Sequence, residues 1–429
     1  MQAKAIPSEL FVANRRRLAH LLPPRSLAVV NANDILPTNA DGSLPMVPNS
    51  DLFYLAGVEQ EQSILVLNPD AEDERFREAL FLRPPSPENK LWEGEKLDKE
   101  AARALTGIRS IHWLDEFPAL FHRFMCATEH VFLNHNEHSR AVIEVAGRDA
   151  RFIAGVKKDY PLHDFRRLAP LLHQLRAVKS EPEIALIQKA CDVTGAAFRR
   201  AAKFLKPGVR ENEIEAEYAH EFIRHGCKFA YPPIIASGLN ACCLHYTANS
   251  AACRAGELLL LDVAASWRNY NSDLTRTIPV GGRFSRRQKK IYDAVLRVLR
   301  ASIKNLRPGK MPRDWQKEAE LLMEKELVDL GLLTLREIKN QNPGSPAVKK
   351  YFMHGIGHPL GLAVHDVMPA HQPIQAGWVM TVEPGIYLPG EKLGLRLEND
   401  VLVTDDGNVD LMAGIPIEAD EIEALMRKK

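Results

Sequence analysis

Asp262 and Asp273, His358, and Glu383 and Glu398 are the residues whose types and order could do chemistry: two acidic pairs with a histidine between them. Each pair lies in sequence suited to reversing the chain. Leu258-Leu259-Leu260-Leu261 leads into Asp262, Trp267-Arg268-Asn269 offers a turn, and Asp273 opens a return through Leu274-Thr275-Arg276-Thr277-Ile278. Val379-Met380-Thr381-Val382 leads into Glu383, Pro389-Gly390-Glu391 turns the chain, and Leu395-Arg396-Leu397 returns it to Glu398. Turn residues between β-rich runs predict two hairpins. Each acid is expected to face its pair partner, because opposed residues of an antiparallel pair lie about 4.5–5.5 Å apart on one face.

Charge decides what such a cluster is for. Four carboxylates buried together without partners are prohibitively expensive, and two divalent cations cancel them. Oxygen-rich ligation with one imidazole favours a hard ion such as Mn²⁺ over thiolate-seeking metals, with Zn²⁺, Co²⁺ and Fe²⁺ also able to occupy the site. The alternative is that these are solvated surface acids, which is the ordinary state of a single Asp or Glu. Two ordered pairs around one histidine argue against it.

These residues need a scaffold, and 429 residues exceed what one core supports, so two or three domains are expected. With 56 basic and 55 acidic residues the chain has no global field to attract nucleic acid or an anionic membrane. Basic clusters such as Arg15-Arg16-Arg17 and Arg286-Arg287-Gln288-Lys289-Lys290 read as solvated helix faces. The stretch Met1 to Glu9 lacks the apolar core of a signal peptide and no later run is long enough to span a bilayer, so a cytoplasmic protein is expected. Six cysteines show neither a CxxC pair nor the density of a disulfide scaffold, and the adjacent Cys242-Cys243 read as buried free thiols.

Residues 1–172 read as an α/β domain without this chemistry. A helix over Ser8 to Leu22 precedes strands at Ser26–Val30, Ile64–Leu67, Ala79–Leu82 and His130–Leu133; Asn49 to Gly57 reads as a further strand, and Trp92 as an aromatic in a charged loop. A capped helical pattern from about Ser180 to Leu205 opens a second domain, residues 173–429. That domain carries a weak repeat. One long helix ends in Leu205-Lys206-Pro207-Gly208 and another in Leu306-Arg307-Pro308-Gly309, and each is followed by a second helix and later by an acidic hairpin. Two such halves about a pseudo-twofold axis would bring the pairs together.

The stretch His354-Gly355-Ile356-Gly357-His358-Pro359-Leu360-Gly361, with Val364-His365-Asp366 and Thr381-Val382-Glu383-Pro384-Gly385-Ile386-Tyr387, closely resembles the pita-bread metallopeptidases, and within them the bacterial aminopeptidase P proteins. Asn49 to Gly57 and Trp92 resemble that family's N-terminal domain, and Arg176-Ala177-Val178-Lys179-Ser180 resembles its domain junction. The resemblance implies an α+β pita-bread catalytic domain behind the α/β domain. It implies Asp262 as a terminal ligand of one metal ion, Asp273 and Glu398 as bridging ligands, and His358 with Glu383 completing the second ion, commonly Mn²⁺. His245, His354, His365 and Arg396 match substrate-shell positions, with Tyr387 beside them. Ala264 stands where the family commonly has glycine, Asn399 stands where an acid is usual, and the segments Met368–His371 and Leu388–Lys392 are shorter than in the best-known members.

The activity implied is hydrolysis after an N-terminal residue that precedes proline. Glu383 would move the proton, His365 and His245 would steady the carbonyl and the tetrahedral intermediate, and His354 and Arg396 would orient the residues after the scissile bond. Expected partners are peptides with proline second and further copies of the chain, a dimer or tetramer contacting through the N-terminal domain, with Trp92 the interface candidate. An Xaa-Pro dipeptidase shares the ligand set and stays open. A methionyl aminopeptidase commonly lacks so large an N-terminal domain, a creatinase-like hydrolase lacks this ligand set, and a binding module that has lost catalysis commonly loses ligands that are all present here.

Overall fold

The computed structural model describes residues 6–141 and 144–427. The chain divides into two compact units, one running to Arg176 and the other beginning at Ala177. Among the described residues no helix is long and apolar enough to cross a membrane.

The first unit is built on one six-stranded sheet of β1 (Ser26–Asn31), β2 (Ile64–Leu67), β3 (Glu78–Leu82), β4 (Ser110–Trp113), β5 (His130–Leu133) and β6 (Asp164–Arg167), in the order β4-β3-β2-β1-β5-β6. β1 runs antiparallel to β2 and parallel to β5. Leu27, Val29, Val66, Phe81 and Val131 form a core on one face with Phe121, Phe124 and Val156 from the covering helices. The four expected strands are present. β6 carries Asp-Phe-Arg-Arg and is largely exposed, so no apolar run announces it.

Four local expectations are corrected here. Asn49 to Gly57 is a helix, Ser50–Ala56, because the Asn49 side chain accepts from the Asp51 and Leu52 amides and Gly57 closes it at φ 68°. Trp92 lies on a helix, Pro87–Glu93, where it is 76% exposed. Arg15 is buried, donating Nη1 to the Leu55 carbonyl at 2.7 Å and pairing with Glu78 at 3.0 Å. Cys243 is exposed and Cys242 half-buried, its thiol donating to the Leu393 carbonyl.

The second unit opens with the helix Glu181–Phe204, whose first turn is closed by the reciprocal cap of Ser180 and Glu183. It continues through a second helix, Glu211–Arg224, and β7 (Lys228–Phe229), β8 (Ile234–Ser237), β9 (Leu258–Asp262), β10 (Ala265–Trp267), β11 (Tyr270–Asn271) and β12 (Thr275–Pro279). Helices Arg286–Asn305 and Pro312–Asp329 then precede β13 (Val379–Val382), β14 (Gly385–Leu388), β15 (Leu393–Arg396), β16 (Asn399–Thr404) and β17 (Gly407–Asp410). Helix, second helix and acidic hairpin thus occur twice in the same order. The sheets are β11-β10-β7, β12-β9-β8, β13-β16-β17 and β14-β15. Ile291, Val295, Trp315, Trp378, Val382, Leu395 and Leu397 belong to the core beneath them.

Candidate metal centre

The pocket is assembled from the two acidic hairpins. In the second, Val382 opposes Asn399 and Gly385 opposes Arg396. The same register carried across the interruption between these strands sets Glu383 opposite Glu398, as expected. In the first, Thr275 opposes Asp262. Asp262 therefore does not face Asp273, because the turn is centred on Arg268-Asn269, both at positive φ, between Trp267 and Tyr270. A turn one residue later moves each partner two positions along, which keeps both acids on one face.

His358 comes from a segment laid beside β13. The Thr381 amide donates to the His358 carbonyl at 2.8 Å, the His358 amide to Thr381 Oγ1 at 3.0 Å, and the Glu383 amide to the Ile356 carbonyl at 2.7 Å. Gly357 is required between them, since a Cβ there would collide with the Thr381 carbonyl.

The side chains close into a ring. Arg396 pairs with Asp262; the Tyr231 hydroxyl touches Asp262 Oδ1 at 2.6 Å and Asp273 Oδ1 at 2.5 Å. Asp273 stands 3.4 Å from His358 Nε2, which stands 3.7 Å from Glu383, which stands 3.8 Å from His354. The Tyr387 hydroxyl lies 2.8 Å from both His354 Nε2 and Arg396 Nη1. Glu398 is tied in by Thr275, whose Oγ1 donates to Glu398 Oε2 at 2.6 Å and accepts from Arg396 Nε at 3.1 Å. The exposed His365 ring packs against His358, centroids 4.1 Å apart. His245 is exposed on the segment after the short helix Gly238–Cys242, and its charge bears on His354.

Burial, above all other causes, raises the carboxyls of Asp262, Glu383 and Glu398, taking Glu383 to about 7 against the pull of His358 and Arg396. Burial would push His358 down, but the hydrogen bond to Asp273 and the Glu383 and Asp273 charges outweigh it and lift the imidazole to about 9. His354 is pushed down to about 3 by burial, with Arg396 adding to it. Since Arg396 donates to Tyr387, the Tyr387 proton is available to His354 Nε2, and Nδ1–H turns to the Gly355 carbonyl at 2.8 Å. That fixes a neutral tautomer.

The donor set fits a metal. Ligand atoms of Asp273, His358 and Glu398 all lie within 4.8 Å of one another. His358 Nδ1 is 3.0 Å from the Pro359 carbonyl and donates to it, leaving Nε2 for the pocket. Burial raises three carboxyls here against the pull of Arg396, and a divalent cation would favour their charged forms.

Sequence reasoning missed Tyr231 and Thr275. The only local signal for Tyr231 is an aromatic pinned by Pro232-Pro233, and Thr275 reads as one more β-branched strand residue. Asn399, the expected departure, is matched to its surroundings: Oδ1 accepts from Arg276 at 2.8 Å and Nδ2 donates to Asp410 at 2.6 Å.

Residues 185–405 match metallopeptidase family M24, and residues 11–132 match the aminopeptidase P N-terminal domain. The Xaa-Pro aminopeptidase of Escherichia coli strain K12 is 33% identical over 98% of both chains. The structure of zinc-substituted E. coli aminopeptidase P in complex with product superposes with a TM-score of 0.88 at 32% identity, covering 99% of this chain and 100% of that one. The E. coli enzyme with the inhibitor Pro-Leu gives 0.87 at 32% identity over 99% of each.

Proposed function

This chain belongs to metallopeptidase family M24, and from that membership we propose that it is a dinuclear metallo-aminopeptidase that removes the first residue of peptides with proline second. The observation that carries the reading is the closed ring of contacts gathering Asp262, Asp273, His358 and Glu383, with Glu398 tied in through Thr275, in a chain matched end to end by an Xaa-Pro aminopeptidase. Asp262 would hold one ion, His358 and Glu383 the other, and Asp273 and Glu398 both. Mn²⁺ suits the oxygen-rich set.

Held by these residues, two divalent cations would supply a nucleophile at neutral pH by lowering the pKa of water toward 7. Glu383, set between His358 and His354, would take the proton that this water gives up and pass it to the leaving nitrogen. His365, exposed beside His358, would donate to the oxygen that gains charge, with His245 steadying the carbonyl. His354, held neutral through Tyr387 and Arg396, orients the residues after the scissile bond. Proline in second place has no amide hydrogen, so its recognition rests on ring shape. Arg396 is buried and already donates to Asp262, Tyr387 and Thr275, which argues against its serving as a clamp for the carboxylate of a dipeptide. This favours the aminopeptidase over an Xaa-Pro dipeptidase.

The test offers Mn²⁺-loaded protein Ala-Pro-Ala and Ala-Pro together, with products resolved by mass spectrometry. Release of Pro-Ala with Ala-Pro spared is expected. Cleavage of Ala-Pro alone would establish the dipeptidase, and cleavage of neither would overturn both.

A further inference from the structure

The stretch Arg176-Ala177-Val178-Lys179-Ser180 does no chemistry in this reading, yet two of its side chains carry buried charge. Arg176, in the first unit, donates to Asp51 Oδ1 at 2.7 Å. Lys179, in the second, lies with Nζ 3.3 Å from Asp366 Oδ2, the two side chains 2% and 1% exposed. Asp366 directly follows His365. We propose that Lys179 is a positioning residue for the peptidase reaction, which through Asp366 fixes the loop that holds His365 against His358; the inference rests on the peptidase reading.

The loop is built to transmit that pair. The Asp366 amide donates to the Pro359 carbonyl at 2.9 Å, and Asp366 Oδ1 accepts from the Val367 amide at 2.9 Å. Residues 358–366 therefore close on themselves with His358 at one end and His365 at the other. At the middle, Gly361 lies so near the pair that a Cβ would collide with Asp366 Oδ2 and come within 2.9 Å of Lys179 Cε. The Gly361 carbonyl accepts from both the amide and the side chain of Asn271, at 2.9 and 3.0 Å, which anchors the loop on β11. Lys179 is fixed in turn, its amide donating to the Gly377 carbonyl at 2.8 Å, just before β13. Stability does not demand such a pair, since exchanging both buried charges for apolar groups is often neutral. Holding an otherwise exposed imidazole in register is a task that apolar packing does less well.

The full chain, loaded with Mn²⁺, is assayed on Ala-Pro-Ala as Lys179→Met/Asp366→Leu, as Lys179→Arg, and as the double exchange in a His365→Ala background. The double exchange should lower kcat about 10- to 100-fold, the scale set by misplacing a group by about 1 Å, with KM and bound Mn²⁺ little changed. Lys179→Arg, which keeps the charge, should recover most of the rate. In the His365→Ala background the exchange should cost less than about twofold more, because residues acting as a unit are not additive. Equal losses in both backgrounds, or a loss that follows bound metal, overturns the proposal. Where the double exchange fails to fold, Asp366→Asn takes its place in the same cycle. If the wild type cleaves neither peptide, the peptidase reading fails on its own. The positioning is then judged from histidine ring NMR: a single sharp His365 signal that broadens or splits in the variant supports it, and an unchanged signal overturns it.

Discussion

The two acidic hairpins deliver four carboxylates to one pocket by different means. In the hairpin that carries Glu383 and Glu398, register passes unchanged through an interruption, and the acids stand opposite each other beside Pro384, which has no amide to donate. In the hairpin that carries Asp262 and Asp273, the acids are two positions out of opposition. Their supports differ as well: a tyrosine hydroxyl bridges the aspartates, whereas Thr275 holds Glu398 alone. Sharing a face therefore matters more than facing a partner. The longer glutamates reach in from a broken ladder, and the shorter aspartates need a neighbour to set their spacing.

The largest effect should come from the glutamate that the proposal places between both ions. Glu398→Gln, read by steady-state kinetics with metal analysis, should lower kcat/KM about 10³-fold, the several kcal/mol that a cation contributes to charge stabilisation. Asp262→Asn should cost less, since Asp262 would hold one ion; equal losses would erase that distinction. A second test uses protons. Binding must displace the proton on His358, held up to about 9, and that on Glu383, held up to about 7, so affinity should weaken as pH falls through both values. In metal-free protein the His358 contribution to stability is complete below its unfolded value near 6.5 and lost as pH rises through about 9. Glu383, raised from 4.5, makes the fold less stable as pH rises from there to about 7. Both changes run the same way. The thermal stabilisation given by Mn²⁺ should accordingly grow between about pH 6 and pH 9, and a flat difference would contradict the shifts.

Much of this scaffold was legible in the sequence where local rules act alone. The four apolar strands of the first unit, the Ser180–Glu183 cap and the repeated long helices needed only periodicity and punctuation. Asn49 to Gly57 was misread because Leu52-Phe53-Tyr54-Leu55 is too short for periodicity to separate a buried helical turn from a strand, and the caps at Asn49 and Gly57 decide it. Arg15 could not be placed from its own helix, since its partners Leu55 and Glu78 come from elsewhere in the unit. In the pocket, the four acids and His358 announced themselves by type and order, whereas His245, His354 and His365 were marked only by the family resemblance. Tyr231 and Thr275 were marked by neither, because a hydroxyl that spaces carboxylates has no sequence pattern.

Those supports sharpen the comparison further. Tyr231→Phe removes the hydroxyl shared by the two aspartates and, at about 1.5–3 kcal/mol for a hydrogen bond to a charged group, should weaken Mn²⁺ binding about tenfold or more. Thr275→Val should do the same through Glu398, and unequal losses would show which pair depends more on its support. The smallest effect on catalysis is expected at Asn399, next to Glu398, where an amide answers both Arg276 and Asp410. Asn399→Asp keeps the acceptor for Arg276 but sets two carboxylates against each other, so thermal stability should fall by about 1–3 kcal/mol with kcat nearly unchanged. The reciprocal exchange Asn399→Asp/Asp410→Asn should restore it, because one amide and one acid again face each other beneath the guanidinium. If kcat falls instead while stability holds, Asn399 acts on Glu398 itself, and the second hairpin depends on its neighbours as closely as the first.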